Sequence, residues 1–302
     1  MARPFPRVDG VEHRYVDAGS LTMHVAEAGS PDAEPILLLH GWPQHWYEWR
    51  HQIPTLAQHY RVIAPDLRGF GWSDAPPDGY DKENMGTDVL NLLDALELDR
   101  VRLVGHDWGG WIGFLICLRA PERFRRYVAC NIPTPFANRD PRTFASMWRF
   151  WYQAVLATPG LGTYLVQKRD FVARLLRGSD KGGRIWTEDE IREFTEPLRE
   201  PDRARATTLL YRTFVTREFP AVGAGRYNSK RLTVPTRLVF GEDDFAIPKR
   251  LITGIDTERH ADELEIELVP GTGHFIVEEK PELVTTRILD FFSAADRPAA
   301  VG

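Results

Sequence analysis

The sequence predicts an α/β protein: an eight-stranded, mostly parallel sheet with helices on both faces, interrupted by an inserted all-helical segment. Three observations carry this. Up to about residue 133, short β-like runs alternate with helical periodicity, the pattern of repeated βαβ units. From 134 to 229 the alternation stops, and only aromatic- and arginine-rich helical stretches follow. After Pro235 two further strands appear, each followed by helical sequence. Residues 1–133 and 230–302 are therefore expected to form one core domain, with 134–229 as a helical domain set into it. A chain of 302 residues is long enough for that arrangement.

The elements follow in order. HRYVDAG and LTMHVAEAG read as two strands joined by a tight Gly19-Ser20 turn, an antiparallel pair at a sheet edge. PILLLH (35–40) is wholly apolar, as a strand buried on both faces must be. A helix is expected over 48–58, then strand YRVIAPD (60–66). Residues 81–98 place Val89, Leu92, Leu93 and Leu96 at helical spacing. Strand VRLVGH (101–106), a helix over 110–119 and strand RRYVACN (125–131) continue the alternation. In the insertion, WRFWYQAVL, TYLVQKRDFVARLL, TEDEIREFTEPL and DRARATTLLYRTF are the helix candidates. Thr187 and Glu190 have the spacing of a capping box. PTRLVFG (235–241) and ELEIELVP (263–270) close the sheet, and the tail beyond Ala294 reads as frayed.

Composition excludes several classes. With 43% hydrophobic and 27% charged residues, this is an ordinary globular chain, neither disordered nor collagen-like. Against 43 acidic residues stand 38 basic ones, a net charge of −5, so no basic face for nucleic acid is implied. Apolar runs such as that over 36–39 are far short of the roughly 18 residues a membrane span requires. The opening MARPFPRVDG has no apolar core and is not expected to act as a secretory signal. Cys117 and Cys130 both lie in apolar segments and read as small buried hydrophobes. The nine histidines show no metal-ligand spacing, so neither metal nor other cofactor is expected. A cytoplasmic protein, a monomer or homodimer with no membrane partner, is the expectation.

In an open parallel sheet, ligands bind beyond the carboxyl ends of the strands. Gly41-Trp42-Pro43 follow the third strand, and Asp107-Trp108-Gly109-Gly110 the fifth. Glu242-Asp243-Asp244 follow the seventh, and Gly271-Thr272-Gly273-His274 the eighth. GHDWG at 105–109 has the spacing of the G-x-S-x-G turn, which lifts one side chain above the sheet where a strand passes into a helix. Here the lifted residue is Asp107. The chain order 107, 244, 274 gives nucleophile, acid and histidine in that fold's sequence. Gly69-Phe-Gly71 opens no dinucleotide fingerprint, because position 74 is Asp. His40 and His106, just before the turns, read as structural hydrogen-bonders.

HGWP (40–43), DLRGFGWSD (66–74), GHDWGG (105–110), GEDDF (241–245) and GTGHF (271–275) together resemble the α/β-hydrolase fold, and within it the epoxide hydrolases. That resemblance implies Asp107 as nucleophile, His274 as general base and Asp244 as the acid that orients it, with Asp243 as rival. It implies backbone N–H groups of Trp42 and Trp108 as the oxyanion hole. Trp42, Trp108, Phe245 and Phe275 would contact substrate. Epoxide hydrolases carry two tyrosines on the inserted domain that donate hydrogen bonds to the epoxide oxygen. WYQAVLATPG (151–160) resembles the first motif and points to Tyr152; LLYR (209–212) resembles the second and points to Tyr211, with Tyr164 and Tyr227 in reserve. The partners implied are a small-molecule epoxide and water. Haloalkane dehalogenases share the aspartate nucleophile and remain the alternative, although that family usually has Asn or Glu at the position of Trp42. Haloacetate dehalogenases have Arg where this chain has Trp108. A non-catalytic binding protein on the same fold is the third reading, and the complete nucleophile–acid–histidine set weighs against it.

Overall fold

The computed structural model describes residues 3–137, 147–180, 182–183 and 185–293. Eight strands form one sheet: β1 (Val11–Asp17), β2 (Thr22–Ala28), β3 (Pro35–Leu39), β4 (Arg61–Pro65), β5 (Val101–His106), β6 (Phe124–Cys130), β7 (Thr236–Gly241) and β8 (Leu264–Val269). Their spatial order is β1-β2-β4-β3-β5-β6-β7-β8. The β1–β2 and β2–β4 pairings are antiparallel and the rest parallel, as the alternation of strands and helices predicts. From β3 the chain first steps outward to β4, then crosses back to place β5 on the other side of β3. This reversal opens a crevice above the carboxyl ends of β3 and β5.

Helices cover both faces. Short α1 (Ile53–Leu56), α2 (Lys82–Ala95) and α3 (Asp107–Arg119) lie in the first half. Between β6 and β7 come α4 (Trp151–Ala157), α5 (Leu161–Lys168), α6 (Phe171–Ser179), α7 (Glu188–Thr195), α8 (Pro201–Thr213) and α9 (Phe219–Gly223), and no strand occurs there among the described residues. Thereafter follow α10 (Arg250–Thr253), α11 (Thr257–His260), α12 (Ile276–Glu279) and α13 (Pro281–Ser293). One core layer packs Val89, Leu92 and Leu93 of α2 and Ile112, Leu115 and Ile116 of α3 on Leu37, Leu39 and Leu103. The opposite layer packs Trp46, Trp49, Ile53, Ile288 and Phe292 on Ile36, Leu38, Val104 and Val128. Alternate residues of β3 and β5 thus enter different cores, which is why both strands read as unbroken apolar runs. Both cysteines are buried and free. No described helix is long and apolar enough to cross a membrane.

Three helices differ from the sequence expectation. The segment 48–58 is a 3₁₀ turn (Trp46–His51) followed by α1. Pro54 explains the break, because proline is tolerated only in a helix's first turn, so a new helix must begin just before it. TYLVQKRDFVARLL divides into α5 and α6 at Arg169, whose backbone is extended, and Asp170 there ion-pairs with Arg199. Helix α3 begins at Asp107, three residues before the expected start. Gly109 and Gly110 are poor helix formers, so periodicity alone conceals that first turn. The capping box at Thr187 and Glu190 is present, each side chain bonding the other's backbone N–H. The tail beyond 294 lies outside the described residues.

Gly109 shows how tightly the crossover is built. A Cβ there would lie 2.2 Å from the Leu39 carbonyl oxygen and 2.5 Å from that of His40, both backbone atoms. Gly178, by contrast, sits near the end of α6, and a Cβ added to it would meet nothing within 4 Å. Gly109→Ala is expected to lower stability by about 1–3 kcal/mol or more, as overpacking against an unyielding backbone does. Gly178→Ala is expected to raise it by about 0.5–1 kcal/mol through helix propensity. Urea midpoints of the two variants check both signs.

Candidate active site

Asp107 stands at the crevice. Its backbone is left-handed (φ 46°), a conformation a non-glycine residue adopts only where its surroundings enforce it. The turn ends β5 and starts α3, so the carboxylate rises from the sheet edge beside the free N–H groups of a helix's first turn. The Trp42 N–H, at the end of β3, donates to Asp107 Oδ2 at 2.9 Å. Gly41 permits that approach: a Cβ there would lie 2.5 Å from the Asp107 Cβ. Trp108 is the second residue of α3, so its N–H is among those without a partner inside the helix.

His274 follows β8 and faces Asp107, with Nε2 3.6 Å from Oδ1. Its Nδ1 lies 2.9 Å from Asp244 Oδ2. Asp244 is fixed in turn: Oδ1 accepts the N–H groups of Ala246 (2.7 Å) and Ile247 (2.8 Å), and Oδ2 accepts Asn131 Nδ2 at 2.8 Å. Neighbouring Asp243 is exposed and makes no such contact with His274. Burial raises the Asp107 pKa, but the hydrogen bond and charge of His274 outweigh it and hold the carboxyl below its usual range. Burial would discharge His274; the Asp244 charge, then its contacts with Asp107 and Asp244, push it well above its ordinary value. The two flanking carboxylates thus favour the charged form of the imidazole against the cost of its burial.

Two phenols of the inserted helices close over Asp107. Tyr152 on α4 and Tyr211 on α8 are buried, their rings edge-to-face at 6.1 Å between centroids. With Asp107, His274, Trp42 and Phe275 they line a constriction of about 20 Å³. Tyr211 also packs edge-to-face on the rings of Trp42 (5.2 Å) and Trp108 (5.7 Å). Burial raises the pKa of both phenols, and the Asp107 charge adds to it, so each is neutral and retains its proton. Tyr164 is 47% exposed on α5. Tyr227 donates to Glu83 Oε1 at 2.8 Å. Neither lines the constriction.

Two larger cavities share lining residues with it. One, of about 370 Å³, is walled by Trp108, Trp111, Ile132, Phe136, Phe214 and Leu251, with Asp107 and Tyr152 at its inner end. The other, of about 520 Å³, mixes Arg149, Arg174, Glu242 and Asp243 with Trp148, Trp151 and Leu175, and shares Tyr152 and Phe245 with the constriction. Among the described residues no cluster of His, Cys, Asp or Glu could hold a metal ion.

Other residues of the site carry no motif. Asn131, with φ 43°, bonds Asp244 and also the Gly273 carbonyl (3.0 Å). Its only signal in the sequence is its place at the end of β6, on the same sheet edge as the other site residues. Glu48 is fully buried and accepts the Gly41 N–H at 2.8 Å, while its other oxygen lies 2.7 Å from His106 Nδ1. His106 Nε2 in turn meets the His274 carbonyl at 2.9 Å. His40 Nε2 accepts the Leu67 N–H at 2.9 Å. Both histidines have the structural role expected of them. Farther along this network, Glu278 bonds Gln44 and Arg50, each at 2.8 Å.

The family model for the alpha/beta hydrolase fold matches residues 34–281. A soluble epoxide hydrolase of Corynebacterium sp. (strain C12) is 32% identical over 292 residues, 94% of this chain and 98% of that protein. The AB hydrolase superfamily protein YfhM of Bacillus subtilis (strain 168) is 30% identical over 94% of this chain and 99% of its own length. The ligand-free structure of the epoxide hydrolase CorEH superposes with a TM-score of 0.81 at 29% identity, covering 94% of this chain and 99% of that one. The chain belongs to the α/β-hydrolase fold family and, within it, to the epoxide hydrolases.

Glu278 gives a test of the support behind the site. Burial, reinforced by Glu48 and Glu190 and opposed by Arg50, pushes its carboxyl up to about 7. A raised acid binds its proton more tightly in the folded state, so its contribution is complete below the ordinary glutamate range and is lost as pH rises through about 7. Glu278→Gln cannot titrate. Its stability relative to the unmodified protein is expected to rise between pH 5 and pH 8 in chemical denaturation, and no change would place the Glu278 charge in solvent.

Proposed function

We propose that this enzyme opens an epoxide with water to a vicinal diol through a covalent ester on Asp107. One observation carries the reading: a buried carboxylate, between the Trp42 N–H and His274, shares a constriction with two buried neutral phenols. Displacement at a saturated epoxide carbon needs an anionic nucleophile on one side and a proton donor on the other. Asp107 attacks an oxirane carbon, the C–O bond breaks, and the alkoxide is stabilised by Tyr152 and Tyr211, one of which gives it a proton.

Ester formation removes the Asp107 charge. With one of its two anions gone, His274 releases its extra proton to solvent, to be taken back when the Asp107 carboxylate is regenerated, and becomes the base that activates water. Water attacks the ester carbonyl while Asp244 holds the imidazole. The N–H groups of Trp42 and Trp108 stabilise the resulting oxyanion. Collapse returns the carboxylate: one proton of the water leaves on the diol through His274, and the other restores the phenol through solvent.

In this reading residues 1–133 and 230–302 are the hydrolase core, and 134–229 form a helical cap that contributes both phenols. Trp42, Trp108, Phe245 and Phe275 contact the substrate. The free cysteines suit the reducing cytoplasm.

Removing His274 separates the two half-reactions. His274→Gln is expected to accumulate an ester heavier than the protein by the whole substrate, seen by intact-protein mass spectrometry after styrene oxide. Given a haloalkane instead, a dehalogenating variant would carry an adduct lacking the halogen, and absence of any adduct after styrene oxide would demote Asp107 from nucleophile to orienting base.

Tyr152→Phe and Tyr211→Phe are each expected to slow ester formation by roughly 10–150-fold, the worth of a hydrogen bond to developing charge. The double variant should be nearly inactive. Single-turnover rates check this, and an undiminished double variant would remove the phenols from the mechanism.

A further inference from the structure

Lys82, the first residue of α2, is fully buried, and the mechanism does not use it. Its Nζ crosses from the core to the inserted helices. It donates to the Leu210 carbonyl at 2.5 Å, to Glu218 Oε2 at 2.9 Å and to Thr213 Oγ1 at 3.3 Å. Three of its acceptors thus lie on one short stretch of the inserted helices, and the Tyr80 carbonyl of the core is a fourth at 3.5 Å. Glu218 clasps the same residue twice, its Oε1 accepting the Lys82 N–H at 2.9 Å. The Nζ also lies 4.6 Å from the centre of the Trp108 ring and 5.3 Å from that of Phe214.

That stretch carries Tyr211. Leu210 is its neighbour on α8, and immediately after Thr213 the helix widens into a π turn over Phe214–Glu218. Such turns are rare and frequent at functional sites. Trp108, beneath the ammonium, is itself packed edge-to-face on Tyr211. Burial presses the Lys82 pKa down and Glu218 opposes it. A buried cation is a costly fastener: an apolar side chain of the same size would join the two layers with less desolvation. What an apolar residue could not do is fix a particular carbonyl, one residue from the phenol, at hydrogen-bond distance.

We propose that Lys82 is a positioning residue for ring opening: by holding the Leu210 carbonyl, Thr213 and Glu218 it sets Tyr211 at the height above Asp107 from which the phenol reaches the epoxide oxygen. The proposal rests on Tyr211 as an oxygen donor. It assigns Lys82 to the first half-reaction only, since hydrolysis of the ester runs through His274 on the opposite side of the carboxylate.

The test is a set of single-turnover experiments with styrene oxide that resolve ester formation from ester hydrolysis. Lys82→Met is expected to slow ester formation about tenfold or more, because small misplacements of a reacting group cost up to about 100-fold. Ester hydrolysis should stay within about twofold. In a Tyr211→Phe background Lys82→Met should add less than about twofold, and in a Tyr152→Phe background its full effect should persist. A merely structural role would slow both half-reactions alike, or act equally in both backgrounds, and either result overturns the proposal. Tyr211→Phe impaired with Lys82→Met unimpaired overturns the Lys82 assignment alone. Tyr211→Phe at the full rate overturns the donor reading and this proposal with it. Should Lys82→Met not fold, Thr213→Val and Glu218→Gln loosen the ammonium without removing it; the same selective slowing supports the proposal, and its absence in both overturns it.

Discussion

The close approach of two strand ends governs everything else in this molecule. β3 and β5 are adjacent and parallel, and the residues that follow them must turn aside within a few ångströms of each other. Gly41 and Gly109 allow this because neither carries a Cβ, and Asp107 accepts a left-handed backbone to complete it. The strain is held by what surrounds it: the Trp42 N–H on the carboxylate, Glu48 on the Gly41 N–H, and two apolar cores sandwiching the strands. A carboxylate so placed has lost its freedom before any substrate arrives. Its orientation is set by the sheet.

Around that point the electrostatics are arranged in opposition. On one side lie His274 and Asp244, whose carboxylate raises the proton affinity of the imidazole. On the other lie two phenols that burial keeps neutral. The Asp107 anion contributes to both outcomes, raising the imidazole and the phenols together. Its single charge therefore bears on the proton affinity of the imidazole and of both phenols at once.

How much of this the sequence discloses depends on whether a residue's role is local. Asp107, Asp244 and His274 each follow a strand that is apolar enough to recognise, and the chemistry of strand ends then groups them. The capping box at Thr187 is equally local. Tyr152 and Tyr211 are legible only through motif resemblance, since a buried tyrosine on a helix is otherwise one core aromatic among many. Asn131, Glu48 and Lys82 are not legible, because their partners lie 113, 7 and 128 residues away across the fold and neither hydrophobic periodicity nor any short motif reports such pairings. The helix over 48–58 fails for a different reason: helical sequence runs on through Pro54, yet that proline forces a restart.

Tyr152 lines both larger cavities, one otherwise walled mainly by aromatic and aliphatic side chains, the other mixing Trp148, Trp151 and Leu175 with Arg149, Arg174 and acidic groups. An oxirane and the diol made from it differ in the same sense. Two hydroxyls cannot be fully hydrated among Trp111, Phe136 and Phe214, whereas Arg149, Arg174, Glu242 and Asp243 line the other cavity. Partitioning alone then favours the less polar oxirane in the first cavity and the diol in the second.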